Sequence, residues 1–520
     1  MKLALVRKGA YFDSVFLMSL GGAVKAATGV ADAMVSMGTP LNLELLRDRG
    51  YSAAELAPAT PNDLVIAVEA ADRAAADSAV AAADELLKQK VRPVSGGAAA
   101  APTSLEGALR LLPGANLAVI SVPGAHAARE ARKALLAGLH VMLFSDNVSL
   151  EDEVALKQLG RSSGLLVMGP DCGTAIVNGK PLCFANVVRR GPVGVVAASG
   201  TGLQEVTCLV DRLGSGVSQA LGTGGRDLKN ERVGGITMTM GIEALAQDPA
   251  TQVIAILSKP PAPAVAARLI AALGATGKPA VAHFIGQDPA ALGKAPASVR
   301  WAASLEEAAA LAVSLAGGRA DLRPPDPAAL AARARQLARG LSPRQRHLRG
   351  YFTGGTLADE ALFLLHRPGR PVHSNNQTDP AFVLADARTS VGHTIVDLGD
   401  DVFTVGRPHP MIDPSTRTER ILAEAADPGV AVLLVDVVLG HGSHPDPAGA
   451  LLPALAEARR AAEARGGRLP VVASVVGTPG DPQGYASQRA KLEEAGCAVM
   501  DSNHQAALLA GRILDEVPAP

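Results

Sequence analysis

Short runs of β-branched and aliphatic residues alternate along most of this chain with Ala- and Leu-rich stretches of helical periodicity. The runs cover 64–68, 117–122, 141–144, 165–168, 193–198, 253–257 and 280–284, and the rhythm restarts after residue 350 with 430–438, 471–475 and 498–500. Helical patterns over 453–465 and 483–494 separate the later runs. Such a rhythm predicts parallel sheets joined by crossover helices, hence an α/β fold. With 520 residues the chain is too long for one core and suggests about three domains. Breaks fall near 189–192 and in a Pro- and Arg-rich stretch over 317–350, which holds a helical segment at 327–341 and reads as a semi-rigid connector. The Ala-rich segment 70–104 reads as a solvent-facing helix followed by a loose loop at 94–103, with no chemistry assigned.

Two Gly-rich turns follow apolar runs. Ser199-Gly200-Thr201-Gly202 closes the run 193–198 and opens a helical stretch from Leu203, so its backbone N–H groups and the helix dipole are expected to face an anion. Gly440-His441-Gly442-Ser443 follows the run 430–439 and is expected to do the same, the two turns holding one phosphate between them.

Bulk properties exclude several classes. Lys and Arg number 49 against 50 Asp and Glu, for a net charge of −1, which gives no reason to expect nucleic acid or an anionic membrane as partner. Aromatic residues at 3% argue against base stacking. The four cysteines, Cys172, Cys183, Cys208 and Cys497, form no CxxC pair, which disfavours a zinc site and fits a reducing cytoplasm. No apolar run is long enough for a signal or a membrane span, so a cytoplasmic protein is expected.

Several motifs occur in a telling order: Val122-Pro123-Gly124-Ala125-His126, Asp146-Asn147, Met168-Gly169-Pro170-Asp171-Cys172-Gly173-Thr174, Ser199-Gly200-Thr201, and Gly222-Thr223-Gly224-Gly225-Arg226-Asp227. In that order they resemble the succinyl-CoA synthetase superfamily, and the whole chain resembles its FdrA branch. The resemblance implies a Rossmann-like CoA-binding-type domain over 1–188, a flavodoxin-like ligase-type domain over 189–317, a linker over 318–350, and a second flavodoxin-like domain over 351–520 similar to the synthetase beta carboxyl domain. Two departures matter. The Gly-His-Ala-Gly loop that carries a phosphohistidine in the superfamily is missing after Ala280-Val281-Ala282-His283-Phe284-Ile285-Gly286, where the chain reads Gln287-Asp288-Pro289. His283 is expected to be structural. The opening loop Arg7-Lys8-Gly9-Ala10-Tyr11-Phe12-Asp13-Ser14 has one glycine where a dinucleotide fingerprint needs three, so no cofactor is expected.

For chemistry, the FdrA resemblance implies a carbamoyltransferase component of purine and allantoin nitrogen catabolism. Inorganic phosphate would cleave oxalurate or a similar ureido acid to carbamoyl phosphate and oxamate, in an oligomeric complex with partner subunits. Such a transfer needs an anion cradle, a cation for the substrate carboxylate and donors for the developing oxyanion. Arg226, beside Gly224 and Gly225, is a candidate for the carboxylate, against the plainer reading of a surface arginine. Ser199 and Thr201 suit phosphate binding or simple helix capping. The segment 397–414 is the densest polar cluster, and Asp400, Asp401, Arg407 and the proline-flanked His409 are candidates for substrate binding or proton transfer, against an interdomain turn. Their spacing matches no metal site, so no metal is expected. His441 and His444 lie in the second turn as candidate anion partners or proton relays, or as ordinary loop histidines. Cys172 reads as a small packing residue. The competing functions are a nucleotide-forming acyl-CoA ligase and a non-catalytic anion-binding scaffold.

Overall fold

The first long apolar run, Leu64–Ala70, enters no parallel sheet. The computed structural model describes residues 1–10, 12, 14–25, 27–91, 102–292, 294–319, 326–404 and 407–517. Residues 1–104 with 404–408 cluster as one compact unit, and the rest of the chain as a second. In the first unit β1 (Lys2–Arg7), β2 (Val30–Met37) and β3 (Leu64–Ala70) make a sheet in the order β1-β3-β2, with both pairings antiparallel. The expectation of one Rossmann-like domain over 1–188 is therefore corrected. A central antiparallel strand covered on both faces reads as apolar as a parallel one: Leu64, Ile66 and Val68 pack with the helices Ser14–Lys25 and Arg73–Val91, while Val65 and Ala67 pack with Leu43, Leu46 and Leu56. Of the loop expected at 94–103, residues 94–101 lie outside the described residues.

Parallel pairing begins in the second unit with β4 (Leu117–Ile120), β5 (His140–Leu143) and β6 (Val167–Met168), in that order across a small sheet. The hairpin β7 (Thr174–Val177) and β8 (Lys180–Cys183) leads into β9 (Arg190–Ala198), β10 (Val217–Gly222), β11 (Val253–Ser258), β12 (Ala280–Phe284) and β13 (Val299–Trp301). Their sheet runs β13-β12-β11-β9-β10-β7-β8, and its five later strands are parallel in flavodoxin-like order. The C-terminal sheet is parallel throughout: β14 (His347–Phe352), β15 (Val372–Ser374), β16 (His393–Asp397), β17 (Val430–Val438), β18 (Val471–Val476) and β19 (Ala498–Met500), ordered β15-β16-β14-β17-β18-β19. In both larger sheets the strand order reverses at the first parallel strand, β9 or β14. Open α/β sheets bind ligands beyond the carboxyl end of a strand at such a switch point.

These two sheets share one core. Leu203, Val206 and Leu209 of the helix Gly200–Arg212 pack in the same cluster as Leu357 and Ala361 of the helix Gly355–Leu365 and Ala506, Leu509 and Ile513 of the helix Asn503–Asp515. The helix foreseen at 327–341 forms as Pro327–Ala338, but its Leu330 and Ala334 are buried in that cluster, so it is a docked element and no free connector. Among the described residues no helix is long and apolar enough to cross a membrane.

Three buried carboxyl groups sit where the halves meet. Glu205 accepts from the Asn503 N–H at 3.0 Å, Glu360 from Asn503 Nδ2 at 2.8 Å and Leu305 N at 2.9 Å, and Glu306 from Ser502 Oγ at 3.0 Å. Burial, with a smaller push from the neighbouring carboxylates, raises Glu205 and Glu360 to about 7. The folded protein thus holds protons there that an unfolded glutamate, with its ordinary value of 4.5, has released. That stability is present in full below the unfolded value and is lost as pH rises toward about 7. Glu205→Gln should flatten the fall in unfolding temperature between about pH 5 and about pH 8. Thermal unfolding across that range checks this, and a variant with the wild-type slope would show that Glu205 is already ionised.

Candidate functional site

The helix Gly200–Arg212 starts directly after β9, with Ser199 as its cap: Ser199 Oγ accepts from Gly202 N at 3.0 Å. The same oxygen lies 2.7 Å from Thr356 Oγ1, in the first turn of the helix Gly355–Leu365 that follows β14. The two helices therefore meet N-terminus to N-terminus. A Cβ on Gly354 would stand 2.9 Å from Thr201 Oγ1, and one on Gly202 would stand 3.0 Å from Thr356 Cγ2, so glycine permits the approach from each side. The loop before the second helix is anchored by Asp436 of β17. Its carboxylate accepts from Thr353 N at 2.9 Å and Gly354 N at 2.8 Å, and pairs with the buried Arg417 at 2.8 Å. With those donors satisfied, the first-turn N–H groups of Gly200, Thr201, Gly355 and Thr356 remain as the donors at the junction. Two positive dipole ends side by side repel, and an anion between them turns that cost into stabilisation.

Charged side chains from several strand ends surround this junction. Lys259, just past β11, pairs with Asp359 at 2.7 Å. Asn376 Nδ2 bridges Asp359 Oδ1 at 3.0 Å and Asp397 Oδ2 at 3.2 Å, and Asp397, the last residue of β16, would touch a Cβ on Gly355 at 2.3 Å. Asp171, past β6, lies 3.8 Å from the position of a Cβ on Gly225. Asp171 and Asn147 hold left-handed backbone at φ 57° and 56°, conformations uncommon outside glycine and concentrated at functional sites.

Three carboxyl groups here, Asp171, Asp397 and Asp401, ionise above the ordinary range. Desolvation by the recess walls, then Asp146, push Asp171 to about 7 against the pull of Lys259, although water reaches its side chain. Burial raises Asp397 to about 6, and burial plus a hydrogen bond to Asp146 does the same to Asp401. Desolvation opposes the Lys259 ammonium, but Asp359 and Asp397 outweigh it and keep the charge. The recess thus offers an anion cradle, one ammonium, and carboxyl groups that hold protons near neutrality.

Of the residues expected from sequence, Ser199, Gly200, Thr201 and Gly202 lie at the junction, and Gly224 and Gly225 lie beside Pro170 and Asp171. Asp401 joins the Asp146 edge, while Asp400 accepts from Val402 N at 3.0 Å and so caps the short helix Asp401–Thr404. His409 stacks on Phe184, with ring centroids 5.6 Å apart, and its Nε2 is 2.7 Å from the position of a Cβ on Gly399, next to Asp397. Its Nδ1 accepts from Met411 N at 3.2 Å, which leaves the proton on Nε2, and burial lowers its pKa to about 4. His409 is therefore a neutral donor.

Three expectations are corrected. Arg226 does not enter the recess: it pairs with the buried Glu153 at 2.8 Å and donates to Val148 O at 2.7 Å. Glu153 and Asp227 also hold the fully buried Lys157, at 3.1 and 2.8 Å, so this loop serves a charge network that fixes its backbone. The turn Gly440-His441-Gly442-Ser443 opens no helix. Gly440 N donates to Gln483 Oε1 at 3.0 Å and His441 N to Ala185 O at 2.9 Å, a Cβ on Gly442 would meet Phe184, and the next helix starts at Pro447 under an Asp446 cap. The partner of the first turn is Thr353-Gly354-Gly355-Thr356, because β14 and not β17 is the strand at the switch point. Arg407 groups with the N-terminal unit, where its N–H meets Thr404 O at 3.1 Å. Cys172 is buried and raised to about 12 by that burial, in keeping with packing. Lys259, Asp171, Asp397 and the 353–356 turn were missed. The turn was findable, since Thr-Gly-Gly-Thr after a strand repeats the Ser-Gly-Thr-Gly pattern.

Comparison with known proteins fits this architecture. The uncharacterized protein YahF of Escherichia coli (strain K12) is 44% identical over 515 residues, covering 97% of each chain. The chain belongs to the succinyl-CoA synthetase-like family of YahF. The family described as CoA-ligase matches residues 351–513, and the family described as AllF, heavy metal-associated domain matches residues 1–103. The alpha subunit of the ADP-forming succinate–CoA ligase of Aquifex aeolicus (strain VF5) is 30% identical over 152 residues, which span 28% of this chain and 48% of that one. Among solved structures, PH0766 from Pyrococcus horikoshii OT3 is matched over 82% of this chain and 89% of that one, with 16% identity and a TM-score of 0.35.

Among the described residues the N-terminal unit offers no donor set that fits a heavy-metal ion. Soft metals require thiolate, imidazole or thioether donors, and residues 1–103 contain no cysteine or histidine. Met34 and Met37 lie three apart on β2 and pack into the cores on opposite faces of the sheet, so their sulfurs cannot converge. Titration of the full chain with zinc and copper(I) should show no uptake that depends on this unit. Stoichiometric binding removed by Met34→Leu with Met37→Leu would contradict that.

Proposed function

We propose that this member of the family transfers a carbamoyl group to inorganic phosphate, cleaving oxalurate or a similar ureido acid to carbamoyl phosphate and oxamate as one component of an oligomeric complex. The observation that carries the reading is the junction of two helix N-termini at Ser199 and Thr356, an anion cradle in a chain that lacks the Gly-His-Ala-Gly loop after β12. After β12 the chain continues Ile285-Gly286-Gln287-Asp288, and His283 is buried with Nδ1 2.9 Å from Ala302 O. Without a covalent carrier, phosphate has to attack the acyl carbon directly.

In this reading the N–H groups of Gly200, Thr201, Gly355 and Thr356 hold phosphate. Lys259 meets the substrate carboxylate, and the neutral His409 Nε2–H faces the developing oxyanion. A phosphate oxygen bonds to the carbamoyl carbon, the carbon–nitrogen bond breaks, and the leaving nitrogen takes a proton. Asp171, raised to about 7, is suited to supply it. A second reading, nucleotide-forming acyl-CoA ligation, draws on the CoA-ligase match over 351–513. It requires a nucleotide-binding partner and a phosphate carrier other than His283.

Carbamoyl phosphate formation from oxalurate and phosphate, by the chain alone and with partner subunits, is the test. Gly200→Val, which fills the cradle, and Asp171→Asn should each lower the rate by about a hundredfold or more while leaving the fold intact. The rate should decline as pH rises through about 7, because the acid is then lost. No product, together with ADP release from ATP, CoA and a carboxylic acid, would favour the ligase reading instead.

A further inference from the structure

We propose that the far end of the helix Gly200–Arg212 borders a second binding site, for a small organic phosphate. A cavity of 560 Å³ opens there, about 18 Å along the helix from its N-terminus, lined by Leu209, Arg212, Leu213, Gly214, Arg319, Tyr485, Arg489 and Asp501. That volume lies within the range of about 300–1,000 Å³ common for small-molecule sites.

The charges around the cavity do not balance locally. Arg489 is answered twice, by Asp501 at 2.9 Å and Glu493 at 3.3 Å. Arg212 meets neutral acceptors: its NH1 donates to Val475 O at 3.2 Å and to the Tyr485 hydroxyl, and its NH2 donates to Asp501 O at 2.6 Å. Arg319 is exposed and meets no carboxylate among the described residues. Two guanidinium charges are therefore in surplus on one cavity, which suits a dianion.

Order and shape narrow the class. The Arg212 and Arg489 guanidiniums lie over the Tyr485 ring, 4.9 and 5.8 Å from its centroid, so both are held before any ligand arrives. A phosphate monoester presents three oxygens to planar forks of this kind. Leu209 and the partly buried Leu213 give the wall an apolar face for the organic part of the ester. The site shares no lining residue with the recess at Ser199 and Thr356, and its ligand would touch Arg212, whose bonds reach the strand end at Val475.

Calorimetry of the full chain with phenyl phosphate tests the assignment. A Gly200→Val background suppresses binding at the recess. Phenyl phosphate should bind that background, Arg319→Ala should weaken it about tenfold or more, and benzoate should bind more weakly than the phosphate ester. Arg319 is exposed, so its variant should keep the wild-type unfolding temperature. Binding abolished by Gly200→Val and untouched by Arg319→Ala would assign the anion to the recess and overturn this site. So would equal affinity for benzoate, or no binding at millimolar phenyl phosphate.

Discussion

The hydrogen bond between Ser199 and Thr356 ties together two helix N-termini that would otherwise repel. Everything around it serves to hold that arrangement. Gly202 and Gly354 remove the side chains that would separate the helices, Asp436 with Arg417 fixes the loop before the second, and the shared apolar cluster presses the helix bodies together. The strong hydrophobic packing along the helices offsets the electrostatic cost at their ends, and that cost is what makes the junction receptive to an anion.

The carboxyl groups around the junction follow the same logic. Asp171, Asp397 and Asp401 share one recess with Lys259, and desolvation by the surrounding walls together with neighbouring carboxylates raises each toward neutrality. Protons stay bound where a lone aspartate would have released them. Glu205 and Glu360 at the junction of the two sheets behave alike, but they are capped by Asn503 and Leu305 and are fully enclosed by the protein. Similar shifts thus arise in an open recess and in a packed seam, and solvent access to the first separates them.

Much of this was legible in the sequence. Continuous apolar runs gave away the parallel strands of the second unit, and the Ser199 turn announced a helix start beside a strand end. The run at 64–70 misled because a covered antiparallel centre strand has the same composition as a parallel one. The Gly440 turn misled because glycine marks any tight turn, and here it lets the backbone pass Phe184 and Ala185. Arg226 looked free because its partner Glu153 lies more than seventy residues away in sequence. Lys259 carried no local signal, and Asp171 lay inside the 168–174 motif without being singled out: their neighbourhood comes from strand ends that only the fold brings together.

The switch point at the first parallel strand of both larger sheets, with the loops after β9 and β14 meeting at the junction, makes the recess a seam between two parallel-sheet halves. Only the stretch around the docked helix Pro327–Ala338 joins those halves covalently. The seam is closed by bonds from Arg212 to Val475, Asn503 to Glu205 and Ser199 to Thr356, none of which needs chain continuity. The second unit therefore closes on itself by packing and by these bonds, and its one covalent link between the halves is itself packed into the core they share.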